Sequence, residues 1–167
     1  MRWSRSRWNA SCAKWRRTSS VDAMGPLDSY LPYLLNRAGA RIATAFSAEM
    51  RPLGATLQAW RVLAALRERD GRRMGGLAET TAIEVSTLTR LVDNMESEGL
   101  VARRRAPGDA RAVTLHATAA GRRLTQRILP IAERYERVAL AGFSAKEAEA
   151  LKVALRRLYA NMAALRP

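Results

Sequence analysis

The chain has 167 residues and a formal net charge of +14, and all of its 29 basic residues except Lys14, Lys146 and Lys152 are arginine. That length fits one domain with a real core, and the charge points to a polyanionic partner, nucleic acid before an anionic membrane. The lone Cys12 and lone His116 exclude an internal disulfide and a His/Cys zinc site, no apolar run approaches the ~20 residues of a membrane span, and the basic N-terminus lacks a signal peptide's apolar stretch.

A cytoplasmic, nucleoid-associated protein with no membrane partner is therefore expected. Residues 1–26 form a basic extension that differs from the rest. Arg2, Arg5, Arg7, Lys14, Arg16 and Arg17 face Asp22 alone, and Trp3, Trp8 and Trp15 are spaced for neither helix nor strand. Three readings stay open: a disordered basic arm, a true start at Met24, or an arm used on DNA or membrane.

From Leu27 onward the pattern is mainly helical. Leu31, Leu34, Leu35, Ala38, Ile42, Ala45 and Phe46 recur at steps of three and four, which predicts a helix over 29–50 with Pro32 in its first turn and Ser29 or Asp28 as cap. Leu57, Trp60, Leu63, Ala64 and Leu66 predict a second over 56–69, stopped by Asp70-Gly71. A short third helix is expected over 76–81. A fourth follows over 86–98, capped by Ser86 and stopped by Gly99, with Val85, Leu88, Leu91, Val92 and Met95 on its apolar face. Its other face carries Ser86, Thr87, Thr89, Arg90, Asp93, Asn94 and Ser97. Two short helices joined by a tight turn, the second with such a face, form a helix-turn-helix pattern.

Residues 100–105 read as a strand and Ala106-Pro107-Gly108-Asp109 as a turn. Residues 111–117 alternate as a second strand, with Val113, Leu115 and Ala117 on one face. This hairpin is a wing, and 56–117 becomes a winged helix-turn-helix. Thr118 can cap a helix that runs toward Ala141 and is kinked at Pro130. The last helix opens with a capping box, Ser144-Ala145-Lys146-Glu147, and carries a seam of Leu151, Leu155, Leu158, Met162 and Leu165. The helices at 29–50 and 118–166 are read as a dimerisation layer; packing within one chain is the alternative.

At this point the sequence resembles the MarR family of bacterial transcription regulators over about Leu27 to Leu165. The run from Thr87-Leu88-Thr89-Arg90-Leu91-Val92-Asp93-Asn94 to Glu98-Gly99-Leu100-Val101 looks like the family's recognition helix leading into its wing. Arg103-Arg104-Arg105 with Asp109-Ala110-Arg111 looks like the wing itself, and Thr118-Ala119-Ala120-Gly121 like the helix start that follows. Ala117 stands where the family often has leucine. The resemblance implies a homodimeric winged-helix repressor on a palindromic operator in double-stranded DNA. It also implies release by a small, often aromatic and acidic, ligand. In the family the arginine matching Arg111 reaches the minor groove, and the aspartate matching Asp109 holds it.

The chemistry of these residues agrees. Ser86, Thr87 and Thr89 can bond phosphates or base edges, Arg90 can take a guanine in bidentate fashion, and Asn94 lies on the same face. Ser86 as a cap and Arg90 as a phosphate contact are the plainer readings. Arginine suits a narrow minor groove, and a short carboxylate can fix a guanidinium's orientation, although an ordinary surface pair at Asp109 and Arg111 is also possible on chemistry alone. Arg103, Arg104 and Arg105 alternate along a strand, so one or two of them face phosphate.

For a ligand, Tyr33, Arg37, Arg41, Trp60 and Arg61 combine cations with aromatic rings as an anionic aromatic molecule requires, against the plainer reading of Trp60 as core. Thiol sensing lacks a cysteine after Cys12, and metal sensing lacks ligands. The urate-responsive branch resembles a Trp followed by Asp, where this chain has Trp60-Arg61. His116 reads as a wing surface residue. No cofactor is expected, and the effector's identity stays open. A non-specific nucleoid-type binder is the alternative function; an enzyme finds no acid–base pair, nucleophile or phosphate loop here.

Overall fold

The computed structural model describes residues 27–106 and 109–162. The basic N-terminal extension with Cys12, the centre of the wing turn and Leu165 of the C-terminal seam lie outside the described residues. Helix α1 (Leu31–Met50) follows a 3-10 turn at Leu27–Ser29. It begins two residues later than its periodicity implies, because the Tyr30 carbonyl takes the first amide bonds, from Tyr33 at 3.0 Å and Leu34 at 3.1 Å. The helix spans two compact units that divide after Arg41.

In the first unit, Leu27, Leu31 and Leu34 are exposed. The second unit holds the rest of α1, whose Phe46 and Met50 are buried, and every element that follows. Helix α2 (Leu57–Glu68) starts at Thr56, whose hydroxyl accepts from the Ala59 amide at 3.1 Å. Then come strand β1 (Arg72–Arg73), α3 (Met74–Thr81), α4 (Val85–Ser97), β2 (Val101–Ala106), β3 (Asp109–Ala117), α5 (Ala119–Ala139) and α6 (Ala145–Met162).

The sheet is antiparallel in the order β1-β3-β2. Val101 pairs with Ala117 and Arg105 with Val113, and the register then breaks between Arg105 and Ala106. Two arginines carry no alternation, so β1 leaves no sequence pattern; it exists because Arg72 and Arg73 pair with Leu115 and Thr114. This third strand turns the hairpin into a sheet and covers Thr114.

Val62, Leu63 and Leu66 of α2, Leu77 of α3, Leu88, Val92 and Met95 of α4, and Leu115 and Ile128 form a closed core with almost no exposure. Burying one such side chain stabilises by about 1.5–3 kcal/mol, so this cluster fixes the α3–α4 pair against the sheet. Val85, expected on the apolar face, is half exposed because it opens the helix rather than lying within it.

Helix α5 starts at Thr118, whose hydroxyl accepts from the Gly121 amide at 3.1 Å, and continues through Pro130. A Cβ on Gly121 would lie 2.1 Å from the Leu100 carbonyl oxygen, so only glycine lets α5 approach the start of the wing. The capping box of α6 is present: Ser144 donates its amide to Glu147 at 2.8 Å, and Glu147 returns an amide bond to the Ser144 hydroxyl at 3.3 Å. No residue of α6 is buried.

Candidate nucleic-acid interface

The turn between α3 and α4 is set by Ala82, which takes a left-handed conformation at φ 52°, and by Ile83, which plugs into the core. The cap of α4 is Glu84, not Ser86. The Glu84 carboxylate accepts the amides of Ser86 at 3.0 Å and Thr87 at 3.1 Å, and the Ser86 hydroxyl as well. A longer acidic side chain one residue before the helix reaches both free amides and complements the positive helix end. The Ser86 hydroxyl and the two amides hold Glu84 at a pKa of about 2.

Leu88, Val92 and Met95 point α4 inward, which leaves Ser86, Thr87, Thr89, Arg90, Asp93 and Asn94 exposed. The Thr89 hydroxyl donates to the Val85 carbonyl at 2.8 Å, and the Ser86 hydroxyl is taken by Glu84. The side chains of Arg90 and Asn94 make no hydrogen bond among the described residues.

The three wing arginines divide as strand geometry requires. Arg103 is half-buried and turns back onto α4. It donates to Asp93 at 2.5 Å and also pairs with Glu96, and its backbone amide donates to Glu96 at 2.9 Å. The Arg103 amide and guanidinium hold the Glu96 carboxyl below its usual range. Partial burial pulls the guanidinium of Arg103 down, and the two carboxylates outweigh it. Arg104 and Arg105 are exposed. Asp109 and Arg111 lie in β3, but their side chains are outside the described residues.

A second junction ties the wing to α2. Asp70 accepts the Ala117 amide at 2.9 Å and bonds His116 Nδ1 at 3.0 Å, and His116 Nε2 meets the Thr114 hydroxyl at 3.1 Å. Partial burial pushes the Asp70 carboxyl up, but the Ala117 amide and His116 outweigh it and hold it low. His116 is thus a structural link between wing and helix. The sequence reading missed this role, and Asp70 read there only as a helix stop.

The ligand candidates fall in two places. Tyr33 and Arg37 stand one turn apart in the first unit, with the guanidinium 5.5 Å from the ring centre, and Arg41 is exposed on the same helix. In the second unit Trp60 packs edge-on against Phe46 at 6.1 Å, and Phe46 meets Tyr135 at 5.4 Å. Trp60 is therefore partly core. Together with Arg61, Glu68 and Thr80 it also borders a shallow groove of about 320 Å³. Among the described residues no His, Cys, Asp and Glu cluster has the makings of a metal site, and no helix is long and apolar enough to cross a membrane.

The sequence profile of the MarR family matches residues 53–112. An HTH-type transcriptional repressor of Mycobacterium tuberculosis is 29% identical over 131 residues, which cover 78% of this chain and 94% of that protein. The crystal structure of a MarR-family transcriptional regulator from Silicibacter pomeroyi superposes with a TM-score of 0.76 at 30% identity, over 86% of this chain and 97% of that one. BpsR of Bordetella bronchiseptica, whose DNA binding is regulated by 6-hydroxynicotinic acid, superposes with a TM-score of 0.69 at 26% identity, over 77% and 98% of the two chains.

Proposed function

The chain belongs to the MarR family of transcriptional regulators, and from that premise we propose that it is a sequence-specific repressor that binds a palindromic operator as a homodimer and is released by a small anionic aromatic ligand. The observation that carries the DNA-reading part is the exposed face of α4. Arg90 and Asn94 stand out from a helix whose other face is locked into the core, with no side-chain hydrogen-bond partner among the described residues. Arginine reads guanine and asparagine reads adenine in the major groove, each worth about 1–3 kcal/mol of discrimination. Thr87 lies at the end of the helix that enters first, with Ser86 and Thr89 beside it for backbone contacts.

Arg104 and Arg105 supply phosphate contacts on the wing, and Arg111 enters the adjacent minor groove with Asp109 fixing its orientation. Arg103 acts as a positioning residue, because Asp93 and Glu96 hold it. The dimer is supported by α6, whose seam residues Leu151, Leu155 and Met162 are exposed among the described residues. A ligand of the kind that regulates BpsR, an aromatic ring bearing a carboxylate, fits the excess of arginine.

Footprinting on the gene's own upstream region tests this reading together with gel shifts of Arg111→Ala. Protection centred on a palindrome, a marked loss of affinity in the variant and a steep fall of log K with log salt are expected. Protection without a palindromic core, with wild-type affinity in the variant, would point to a charge-driven nucleoid binder instead.

A further inference from the structure

His116 is the one histidine of the chain, and histidine is the side chain that changes charge between pH 5 and 8. It stands on β3 opposite Ala102, one residue before the root of the wing. Its side chain is 24% exposed, so water reaches the ring. Gly71 passes close by, since a Cβ there would lie 3.1 Å from His116 Cε1. Nδ1 lies 3.0 Å from Asp70 Oδ2, and Nε2 lies 3.1 Å from the Thr114 hydroxyl. That hydroxyl in turn donates to the Arg104 carbonyl at 3.2 Å. A line of three contacts thus runs from the end of α2, across β3, to the backbone of β2.

The hydrogens along this line can be counted. Threonine has a single hydroxyl hydrogen, and a neutral imidazole has one N–H. With Nδ1–H on Asp70, a neutral Nε2 takes the Thr114 hydrogen, and the Arg104 carbonyl loses it. With Nε2–H on Thr114 instead, an unprotonated Nδ1 faces a carboxylate. Only the imidazolium donates at both nitrogens and leaves the Thr114 hydrogen to Arg104, which fills all three contacts. The charged groups on the neighbouring elements are Asp70, Arg72 and Arg73 of β1, Arg104 of β2 and Arg122 of α5. Arg72 is turned to Glu68 and Thr80, and Arg122 donates to the Ala117 carbonyl at 2.5 Å. Among the described residues Asp70 is the one anion bonded to the ring.

We propose that His116 is a positioning residue whose protonation locks the wing to α2, so that the chain binds DNA more tightly as the pH falls below neutral. The proposal rests on the reading above that the wing meets DNA, and it adds a dependence on protons. In that reading Arg104 supplies a phosphate contact, and its own carbonyl is the far end of the line. A neutral ring gives up that end, and the wing is then held to α2 less firmly. The contact that differs between the two states is the Thr114–Arg104 bond, kept with the proton and lost without it.

Fluorescence anisotropy with a labelled duplex of the gene's own upstream region tests this at constant salt, at about pH 5.5 and about pH 7.2. Ordinary carboxylates titrate below that window and an α-amino group above it. Affinity is expected to rise about fivefold toward the lower pH, and to stay level in His116→Ala. Thr114→Val keeps the ring and its charge but breaks the line, so its affinity should stay level too. NMR spectra of the labelled full chain give a readout without DNA. The Arg104 amide should titrate together with the His116 Cε1 proton, and should cease to do so in Thr114→Val. The wild-type titration needs no variant, so it stays informative should a substitution prevent folding. A level wild-type affinity, a full pH slope in Thr114→Val, or an Arg104 amide indifferent to the ring's charge would overturn the proposal. Absence of DNA binding at either pH would instead overturn the regulator reading, and the amide titration would still report on His116.

Discussion

Arg103 of the first wing strand donates to Asp93 of α4 at 2.5 Å, and its guanidinium also reaches Glu96 one turn further along. These contacts fix the angle between α4 and β2, the two elements that the proposed function sets against DNA. A guanidinium can bridge two carboxylates where an ammonium cannot hold both in a fixed plane. Arg103→Ala is expected to lower operator affinity roughly tenfold, because it loosens the wing and leaves two carboxylates unneutralised beside the phosphates. Arg103→Lys should recover only part of it. Fluorescence anisotropy with labelled operator checks this; full affinity with an unchanged circular dichroism spectrum in the alanine variant would remove Arg103 from the positioning role.

Glu84 gives a pH-dependent prediction. Its carboxyl falls from an ordinary 4.5 to about 2 in the folded chain. A depressed carboxyl contributes stability that is present above its unfolded value and is lost as pH falls through the folded one. Glu84→Gln should therefore melt at a lower temperature than wild type at neutral pH, and the gap should close between about pH 4.5 and 2. Glu96, Asp70 and Glu147 are lowered too, so the wild type itself should lose stability as acid is added. A pH-independent gap between Glu84→Gln and wild type would show that the carboxylate's charge plays no part in the cap.

The parts of this fold legible in the sequence are those written in local periodicity. The apolar spacing of α2 and α4 and the Ser144–Glu147 box each lie within a few residues, and each is found where the pattern puts it. What escaped is written between distant residues. Asp70 and His116 are 46 positions apart, and Arg103 and Asp93 ten. Strand β1 has two residues and no pattern of its own, and it is defined by its partner β3. The cap of α4 escaped for a different reason. Ser86 is the better cap by residue type, but Glu84 sits one residue before the helix and reaches two amides. For the proposed DNA face, local pattern located the helix and the hairpin strands as elements, while the division of the three arginines needed the strand's orientation against α4.

Gly121 tests the approach of α5 to the wing. Alanine there would place a methyl carbon 2.1 Å from a backbone oxygen, Leu100 O, and 3.2 Å from Leu63 Cδ2. The backbone oxygen cannot rotate away, and the same carbonyl already accepts the Thr118 amide at 3.1 Å. Gly121→Ala should therefore destabilise the domain by about 1–3 kcal/mol, despite alanine's better helix propensity. Urea unfolding followed by circular dichroism measures it. Unchanged or raised stability would mean that α5 can shift without cost to the wing root.

The seam of α6 supplies the test of assembly. Leu151 is 37% exposed and Leu155 41%, and they lie one turn apart on a helix none of whose residues is buried. Exposed leucines at such spacing cost solubility unless a partner covers them. The capping box at Ser144 secures the helix start locally. Leu151→Glu with Leu155→Glu would set charges into a face that the proposed homodimer buries, which is costly for an unpaired carboxylate. Analytical ultracentrifugation should report a dimer for the wild type and a monomer for the double variant, which would keep its helical spectrum. Operator binding should fall steeply at the same time, since one winged helix reads only half a palindrome. A dimeric double variant would place the interface elsewhere, and a monomeric wild type with full operator affinity would remove dimerisation from the mechanism.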